Sequence, residues 1–516
     1  MTTLTSWNTK DIRTILESGQ FNTEFYTSTY PETQTTGLDP IIHYVLFGCR
    51  EKKNPNEFFN TEIYKNLFHA VIKKEENPFA HYLRNNESTH FFEKGLLQNY
   101  SHEMLTKCYT KFKDYSFFSP DHYRTVNPSL KFSGISPTRH ALLYGIGEGR
   151  DILCPYNMAQ YFGRECKKPT AYKPDTTRTV GDLPQTVGVF YHSAGNSFIH
   201  ELAELLQDYL SQAGLTAHLM TEKTPLSDKP DLCIFCAPHE FFFLEGCEHW
   251  KQDHILEQAI MFNTEQPQTL WFTRGLIYCL MSAGVIDICV QNLQAFADIG
   301  LNVFHFDPIP KVQKARLKPA DKTHPFFRVL PDAAQSGSTP LKPIAERAID
   351  VSFFGNSSAN REKFFARQAA FFSDYTCFLY YRKTDGPLTT EGQYDILARL
   401  PRYVAENSKI FLNVHRDDNH FFEWHRIARQ GMASGAVVVT EECFPHPLYK
   451  NGEHYLVESG RHMPNLIEWL LNTPDGEKES RRIQKNAFRI FANTSLRQTK
   501  NHDLLCYISS VWSATP

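Results

Sequence analysis

The most chemistry in the least space lies between Lys409 and Glu442, in KIFLNVHRDDNHFFEWHRIARQGMASGAVVVTEE. KIFLNVH has the composition of a buried strand and exits into the polar loop RDDNH. A helix follows, carries Glu423 and Arg426, and ends at Ser434-Gly435. A second strand then delivers Glu441 and Glu442 at its carboxyl end. A nucleoside diphosphate needs cations or N–H groups for its phosphates and a carboxylate for its ribose hydroxyls. Arg416 and Arg426 meet the first need, and Glu423 or Glu441 the second. Taken one at a time, the arginines read equally well as ion-pair partners of Asp417, Asp418 and Glu423; their convergence on one strand edge favours a site. Asp417-Asp418 is contiguous rather than a spaced acidic pair, so no metal ion is predicted.

Positioning these residues takes a sheet with both faces covered. From 349 on, IDVSFFGN, CFLYY, KIFLNVH, AVVVT and HYLV read as strands separated by helices such as REKFFARQAAFF. The tail from His462 to Gln498 reads as two more helices. An earlier series, TVGVFYH, AHLM, DLCIFCAP, AIMFNTEQ, DICVQN and NVFHF, reads the same way, with ELAELLQDYLSQAG as its first helix. Residues 186–310 and 349–495 are therefore expected to form two Rossmann-like α/β lobes with a cleft between them, and residues 496–516 a tail packing back on them. Residues 311–348 are expected to connect the lobes with little structure of their own.

Residues 1–165 carry an internal repeat instead. FNTEFY at 21–26 precedes DPIIHYVLFGCRE, FNTEIY at 59–64 precedes NPFAHYL, and FSPDHY at 118–123 precedes SPTRHALLYGIGEGR. Asn, Asp or Ser caps with Pro in the first turn predict a short all-α repeat, with Gly48 stopping its second helix. His43, His81 and His140 recur at one place in each copy, as expected of a structural histidine rather than a metal triplet. Residues 165–186 read as a linker.

The remaining composition narrows the choice of class. The chain has 516 residues, a formal net charge of −3 and a pI near 6.7, which argues against a dedicated nucleic-acid binder. No apolar leader or membrane-length run is visible, so a cytoplasmic protein is expected, with at most peripheral contact at the inner face of a membrane. Of 12 cysteines only Cys233 and Cys236 form a CxxC pair, within an apolar run, and they read as buried thiols. His200-Glu201 lacks the second histidine of a zinc-protease helix, YHSAGNS is no dinucleotide fingerprint, and no P-loop is present.

The 409–442 segment resembles the C-terminal lobe of bacterial glycosyltransferases of the spore-maturation-protein-like type, in the GT-B superfamily. They share an "LNxH" strand end and a helix end reading "EAxAxGxxVxTE"; here the phrase is RQGMASGAVVVTE. Gln430 stands where many relatives carry the ribose-binding Glu, which moves that role to Glu423 or Glu441. FFGNSSANREKF resembles the family's "GN…R" segment and makes Asn356 and Arg361 candidate phosphate contacts. By the same resemblance His415, Ser434 and Gly435 join the donor set. The N-terminal phrase "DPxxHYxxxG" is similar to a module found beside bacterial polysaccharide glycosyltransferases. The resemblance implies a GT-B-like fold and transfer of a sugar from a nucleotide-sugar donor to a glycan or glycoconjugate, in bacterial surface polysaccharide synthesis. It implies no metal and no cofactor beyond the donor. The repeats would hold the acceptor, a partner protein or a second copy. The base would come from the first lobe: His192, ending its first strand, or Glu265, following AIMFNTEQ. The alternative is an inert GT-B-like scaffold in a glycan-assembly complex, for which Gln430 is the main argument.

Overall fold

The computed structural model describes residues 6–56, 59, 61–67, 72–73, 76–85, 100–128, 130, 135–165, 179–307, 315–382, 395–416 and 426–514. The chain divides into two compact units, Met1–Met158 and Ala159–Pro516.

Helices dominate the first unit, and the same local arrangement recurs in it. Asp39 and Ser136 cap short helices that begin at Pro40 and Pro137 and tighten into π-helical turns, Tyr44–Gly48 and Ala141–Gly145. Each of the three recurring histidines meets the tyrosine 17 residues before it. The hydroxyls of Tyr26, Tyr64 and Tyr123 lie 3.0, 2.9 and 3.0 Å from Nδ1 of His43, His81 and His140. All six side chains are buried, and burial holds the His140 imidazole down at about 4. The helical segment ends at Gly48, as expected, and a Cβ there would run into the Tyr26 hydroxyl, as one on Gly145 would into that of Tyr123. The glycines are there to let the tyrosine reach its histidine.

The second unit holds two parallel sheets. In the first lobe β1 (Thr186–Tyr191), β2 (Thr216–Thr221), β3 (Leu232–Cys236), β4 (Ile260–Asn263), β5 (Gly284–Asp287) and β6 (Asn302–His305) are ordered β2-β1-β3-β4-β5-β6. In the second lobe β7 (Ile349–Asn356), β8 (Cys377–Arg382), β9 (Ser408–Asn413), β10 (Val437–Thr440) and β11 (Leu456–Val457) are ordered β11-β10-β9-β7-β8. Every pairing is parallel. Both lobes are thus Rossmann-like. Strand side chains alternate between two cores: Phe411 of β9 faces a cluster that continues into the first lobe through Phe306 and Phe327, while Ile410 and Leu412 face a separate cluster under the tail helices.

Three sequence expectations change. The fifth strand is GVID rather than DICVQN, because the chain turns at Asp287, whose carboxylate accepts from Cys289 N–H. The 315–348 connection contains helical turns at Pro319–Thr323, Pro325–Arg328, Asp332–Gln335 and Ile344–Glu346. They are anchored by buried Phe327, Leu330 and Ala334, and Tyr403 donates to the Ala334 carbonyl at 2.6 Å. The tail holds three helices, Met463–Asn472, Pro474–Phe491 and Thr494–Ala514. The third returns to the first lobe, where Tyr507 stacks on Phe304 of β6 at 5.2 Å. Cys233 and Cys236 lie buried on β3, and burial pushes the Cys233 thiol up to about 12.

Candidate active site

In parallel α/β sheets, ligands gather at the carboxyl ends of the strands, where the chain leaves the sheet and turns into a helix. In the first lobe four exits place ionisable groups together. β1 is followed by His192 and β2 by Glu222, β3 runs through Ala237 into Pro238-His239-Glu240, and β4 leads into Thr264-Glu265. Ala237 adopts φ +49°, a left-handed turn that swings the chain from strand into helix and sets His239 and Glu240 at the edge.

His192 is held on both sides. Its Nδ1 accepts from Ala194 N–H at 3.1 Å and its Nε2 donates to the Glu245 carbonyl at 2.9 Å. Glu222 stands 3.9 Å from that Nδ1 and accepts from the Ser193 amide at 2.7 Å and the Ser193 hydroxyl at 2.5 Å. The imidazole thus pins the β1 exit loop and has no nitrogen left to take a proton from a substrate.

Glu265 differs in every respect. It follows the fully buried β4 and precedes the helix Leu270–Met281, whose cap Thr269 accepts from Phe272 N–H and donates to Glu265 Oε2 at 3.2 Å. Burial pushes its carboxyl from 4.5 up to about 7; Glu240 adds to the rise, while Thr269 and the charge of Arg416 oppose it. About a quarter of the side chain stays open to solvent (27%). His239 Nε2 lies 3.7 Å from Glu265 Oε1, but burial holds that imidazole down at about 3, so the contact is neutral imidazole beside carboxyl and not an ion pair. Glu240 is raised by burial and accepts from Asn196 N–H at 2.8 Å.

The second lobe contributes one charge and a set of strand-edge contacts. Arg416, just past the carboxyl end of β9, is exposed, and its charge reaches Glu265. His415 is buried; its amide donates to Glu441 Oε2 at 2.7 Å and its Nε2 lies 3.3 Å from Cys443 Sγ. Glu441 is half-buried at the end of β10, so the two strand exits are bonded to each other. Arg361 is buried and braces this edge from beneath. Its Nε donates to the Val414 carbonyl and its Nη1 to the Asn356 carbonyl, both at 2.9 Å, with the guanidinium over Phe353. Asn356 itself is exposed at the end of β7.

Ser434 and Gly435 are not with these residues. They precede β10 and lie at the opposite, amino edge of the sheet, roughly 13 Å away for a four-residue strand at ~3.3 Å per residue. The Ser434 carbonyl accepts from Arg347, whose guanidinium also donates to the carbonyls of Pro340, Lys342, Ala405 and Ser408. Gly435, at φ +76°, makes room for Arg347. This pair closes a structural hub and cannot reach a ligand at the strand exits. Glu423 lies outside the described residues; Arg426 opens the helix Arg426–Ala433, and its side chain lies outside them too. Among the described residues, no group of three or more His, Cys, Asp or Glu side chains is arranged to hold a metal ion.

Sequence reading missed a buried cluster at the junction of the lobes. Asp307, just after β6, receives Lys500 Nζ of the last helix at 3.2 Å and Arg429 of the second lobe at 3.4 Å, with His446 at 3.6 Å and the Tyr449 hydroxyl at 3.4 Å. Gln291 adds a second bridge, donating to the Pro445 carbonyl at 2.8 Å. It also missed His239 and Glu240. The signal was present, since both follow an apolar strand directly, but the reading stopped at the strand's last apolar residue.

With two parallel Rossmann-like sheets, the second unit has a two-lobed α/β fold. No family model matches the chain, and no curated protein matches it. Among solved structures it is similar to an alpha-glucosyltransferase in complex with UDP (8% identity, TM-score 0.39, 62% of this chain and 99% of that one). It is also similar to the Anabaena protein HepE in complex with UDP and glucose (11%, 0.36, 62% and 99%) and to S. aureus TarM with UDP (13%, 0.33, 54% and 55%).

Proposed function

We propose that the protein is a glycosyltransferase using a nucleotide-diphosphate sugar, with Glu265 as its general base. The observation that carries this reading is the Glu265 carboxyl itself: raised to about 7, partly open, and facing an arginine of the other lobe. A base that titrates near neutrality combines the ionised form with useful basicity. An acceptor hydroxyl gives its proton to Glu265, its oxygen bonds to the donor's anomeric carbon, and the bond from that carbon to the diphosphate breaks. Arg416 receives the charge that develops on the departing diphosphate. On the donor side His415, Glu441 and Asn356 are the donor contacts, Glu441 taking the ribose hydroxyls, and Arg361 acts as a positioning residue. The helical unit holds the acceptor or a partner in surface polysaccharide assembly. Among the described residues no helix is long and apolar enough to cross a membrane.

The test is thermal stabilisation by UDP, GDP and CMP, followed by release of nucleotide from the matching sugar donor. One nucleotide is expected to raise the melting temperature of the wild type, and Arg416→Ala to weaken that rise. An unmoved melting temperature with all of them would leave the inert-scaffold reading in its place.

A further inference from the structure

The tail helix Pro474–Phe491 carries its positive charge on one side. Gly476, Ser480, Ile483, Ala487 and Phe491 are buried, whereas Lys478, Arg481, Arg482, Lys485 and Arg489 are all exposed. At ~3.6 residues per turn the five cations fall opposite the buried face, in a sector about 100° wide, and form a column roughly 16 Å long. From Ser480 to His502 the sequence has no Asp or Glu, in a chain whose 57 acidic residues outnumber its 54 basic ones. Two of the five cations are committed: Arg481 pairs with Glu477 and Arg482 with Glu479, acids on the flanks of the column. Among the described residues Lys478, Lys485 and Arg489 have no acidic partner, and their charge stands in solvent.

Exposed apolar side chains border the same helix. Leu341, 52% exposed, adjoins Lys342, whose carbonyl accepts from Gln484 Nε2 of the helix at 3.2 Å. Trp469, 39% exposed, belongs to the preceding helix Met463–Asn472, and its carbonyl packs on the first turn, where a Cβ on Gly476 would run into it. A dissolved polyanion would use the cations alone. An anionic bilayer uses both sets: its headgroups attract the lysines and arginines, and its interface takes up leucine and tryptophan. The helix is too charged to insert, so it would lie along the surface with its buried face still on the second lobe.

We infer that the outer face of the helix Pro474–Phe491 docks on an anionic lipid bilayer, with Lys478, Lys485 and Arg489 at the headgroups and Leu341 and Trp469 in the interface. This holds whatever chemistry Glu265 performs, because none of these five residues belongs to the strand exits.

The experiment is co-sedimentation of the full chain with vesicles of phosphatidylcholine alone and of phosphatidylcholine mixed equally with phosphatidylglycerol, at low and high salt. Binding is expected to the mixed vesicles, not to the neutral ones, and to weaken as salt rises. Changing Lys478, Lys485 and Arg489 together to Gln should lower vesicle affinity by about a hundredfold, at close to tenfold or less per charge. The melting temperature should stay where it is, since exposed, unpaired side chains are removed. A second triple, Lys10→Gln, Lys107→Gln and Lys113→Gln in the helical unit, removes as many exposed cations and should leave vesicle binding nearly intact. Leu341→Ser with Trp469→Ser should weaken vesicle binding severalfold and leave binding of long-chain polyphosphate unchanged. The inference is overturned if the mixed vesicles are not bound, if both triples weaken binding equally, if the serine pair has no effect, or if polyphosphate in solution is bound as tightly as the vesicles.

Discussion

Asp307 and Glu265 follow two strands of the same sheet, and burial pushes both carboxyls upward, yet they end in opposite states. At Asp307 the chain supplies counter-charge in excess: Lys500 from the last helix and Arg429 from the second lobe are close enough to hold the carboxyl far below the usual range. His305 and His446 face it too, but burial keeps both imidazoles below their ordinary range, so they act as neutral neighbours. At Glu265, among the charged groups of the described residues, Arg416 opposes the burial, Glu240 reinforces it, and the carboxyl rises to about 7. The pair teaches that burial alone does not mark a working carboxylate. Where the fold supplies partners the group becomes a clamp, and where it withholds them the group keeps a proton to trade.

The largest expected effect breaks the clamp. Asp307→Asn leaves Lys500 and Arg429 buried without their counter-charge, at side-chain exposures of only 9% and 6%. A loss of about 3–5 kcal/mol of stability is expected, read by urea denaturation. Because the cluster joins β6, the last helix and the second lobe, interlobe packing should fail with it. A loss under about 1 kcal/mol would mean that the three groups are not a unit.

Glu265→Gln is expected to do the reverse. The amide keeps the shape and the Thr269 contact but takes no proton, so kcat should fall by about a hundredfold, or ~2.7 kcal/mol, with little change in nucleotide binding. His192→Gln, measured alongside, should instead lower stability, because both ring nitrogens hold the β1 exit loop. If kcat fell with His192 and not with Glu265, the base would be misassigned.

The contrast also shows what the sequence could disclose. Runs such as IDVSFFGN and AVVVT name their own strands, since apolar runs between helical segments can be satisfied only in a sheet covered on both faces. Glu265 was legible for the same reason: it is the first ionisable residue after such a run. Asp307 was not, because Lys500, Arg429 and His446 come from segments far apart in the chain and only the closed fold brings them together. Ser434 and Gly435 misled because their motif follows a helix, and motif order does not say at which edge of the sheet that helix ends. At Gly48 the stop was legible but its second reason was not: the space Tyr26 needs is invisible until the histidine 17 residues after it is known to be its partner.

A smaller effect separates the two carboxylates by pH. Glu265 and Asp287 both have folded-state values raised to about 7, from 4.5 and 3.8, because burial disfavours their ionised forms. The folded state then holds protons more tightly than the unfolded state. Their contribution is complete below the unfolded values and is lost as pH rises through about 7. Stability of the wild type should therefore fall between pH 5 and 8, by roughly 2 kcal/mol for Glu265 alone. Glu265→Gln should flatten that decline, leaving the Asp287 share, and be the more stable protein at pH 8. An identical slope in both proteins would place the Glu265 carboxyl back in the ordinary range.

The smallest effect tests the Arg416 charge that opposes burial at Glu265. Arg416 is exposed and acts from the other lobe, so its influence should be weak and sensitive to salt. Removing it in Arg416→Gln takes away a cation that favours the ionised carboxyl. The acid limb of the kcat profile, which follows Glu265, should therefore move to higher pH. High salt should move the wild type in the same direction and leave the variant where it is, because there is no longer a charge to screen. The loss of diphosphate binding expected from the same variant appears in KM for the donor and not in the position of the limb, which separates the two roles of one arginine. A limb that moves to lower pH, or that salt moves equally in both proteins, would show that the two lobes do not face each other through this pair.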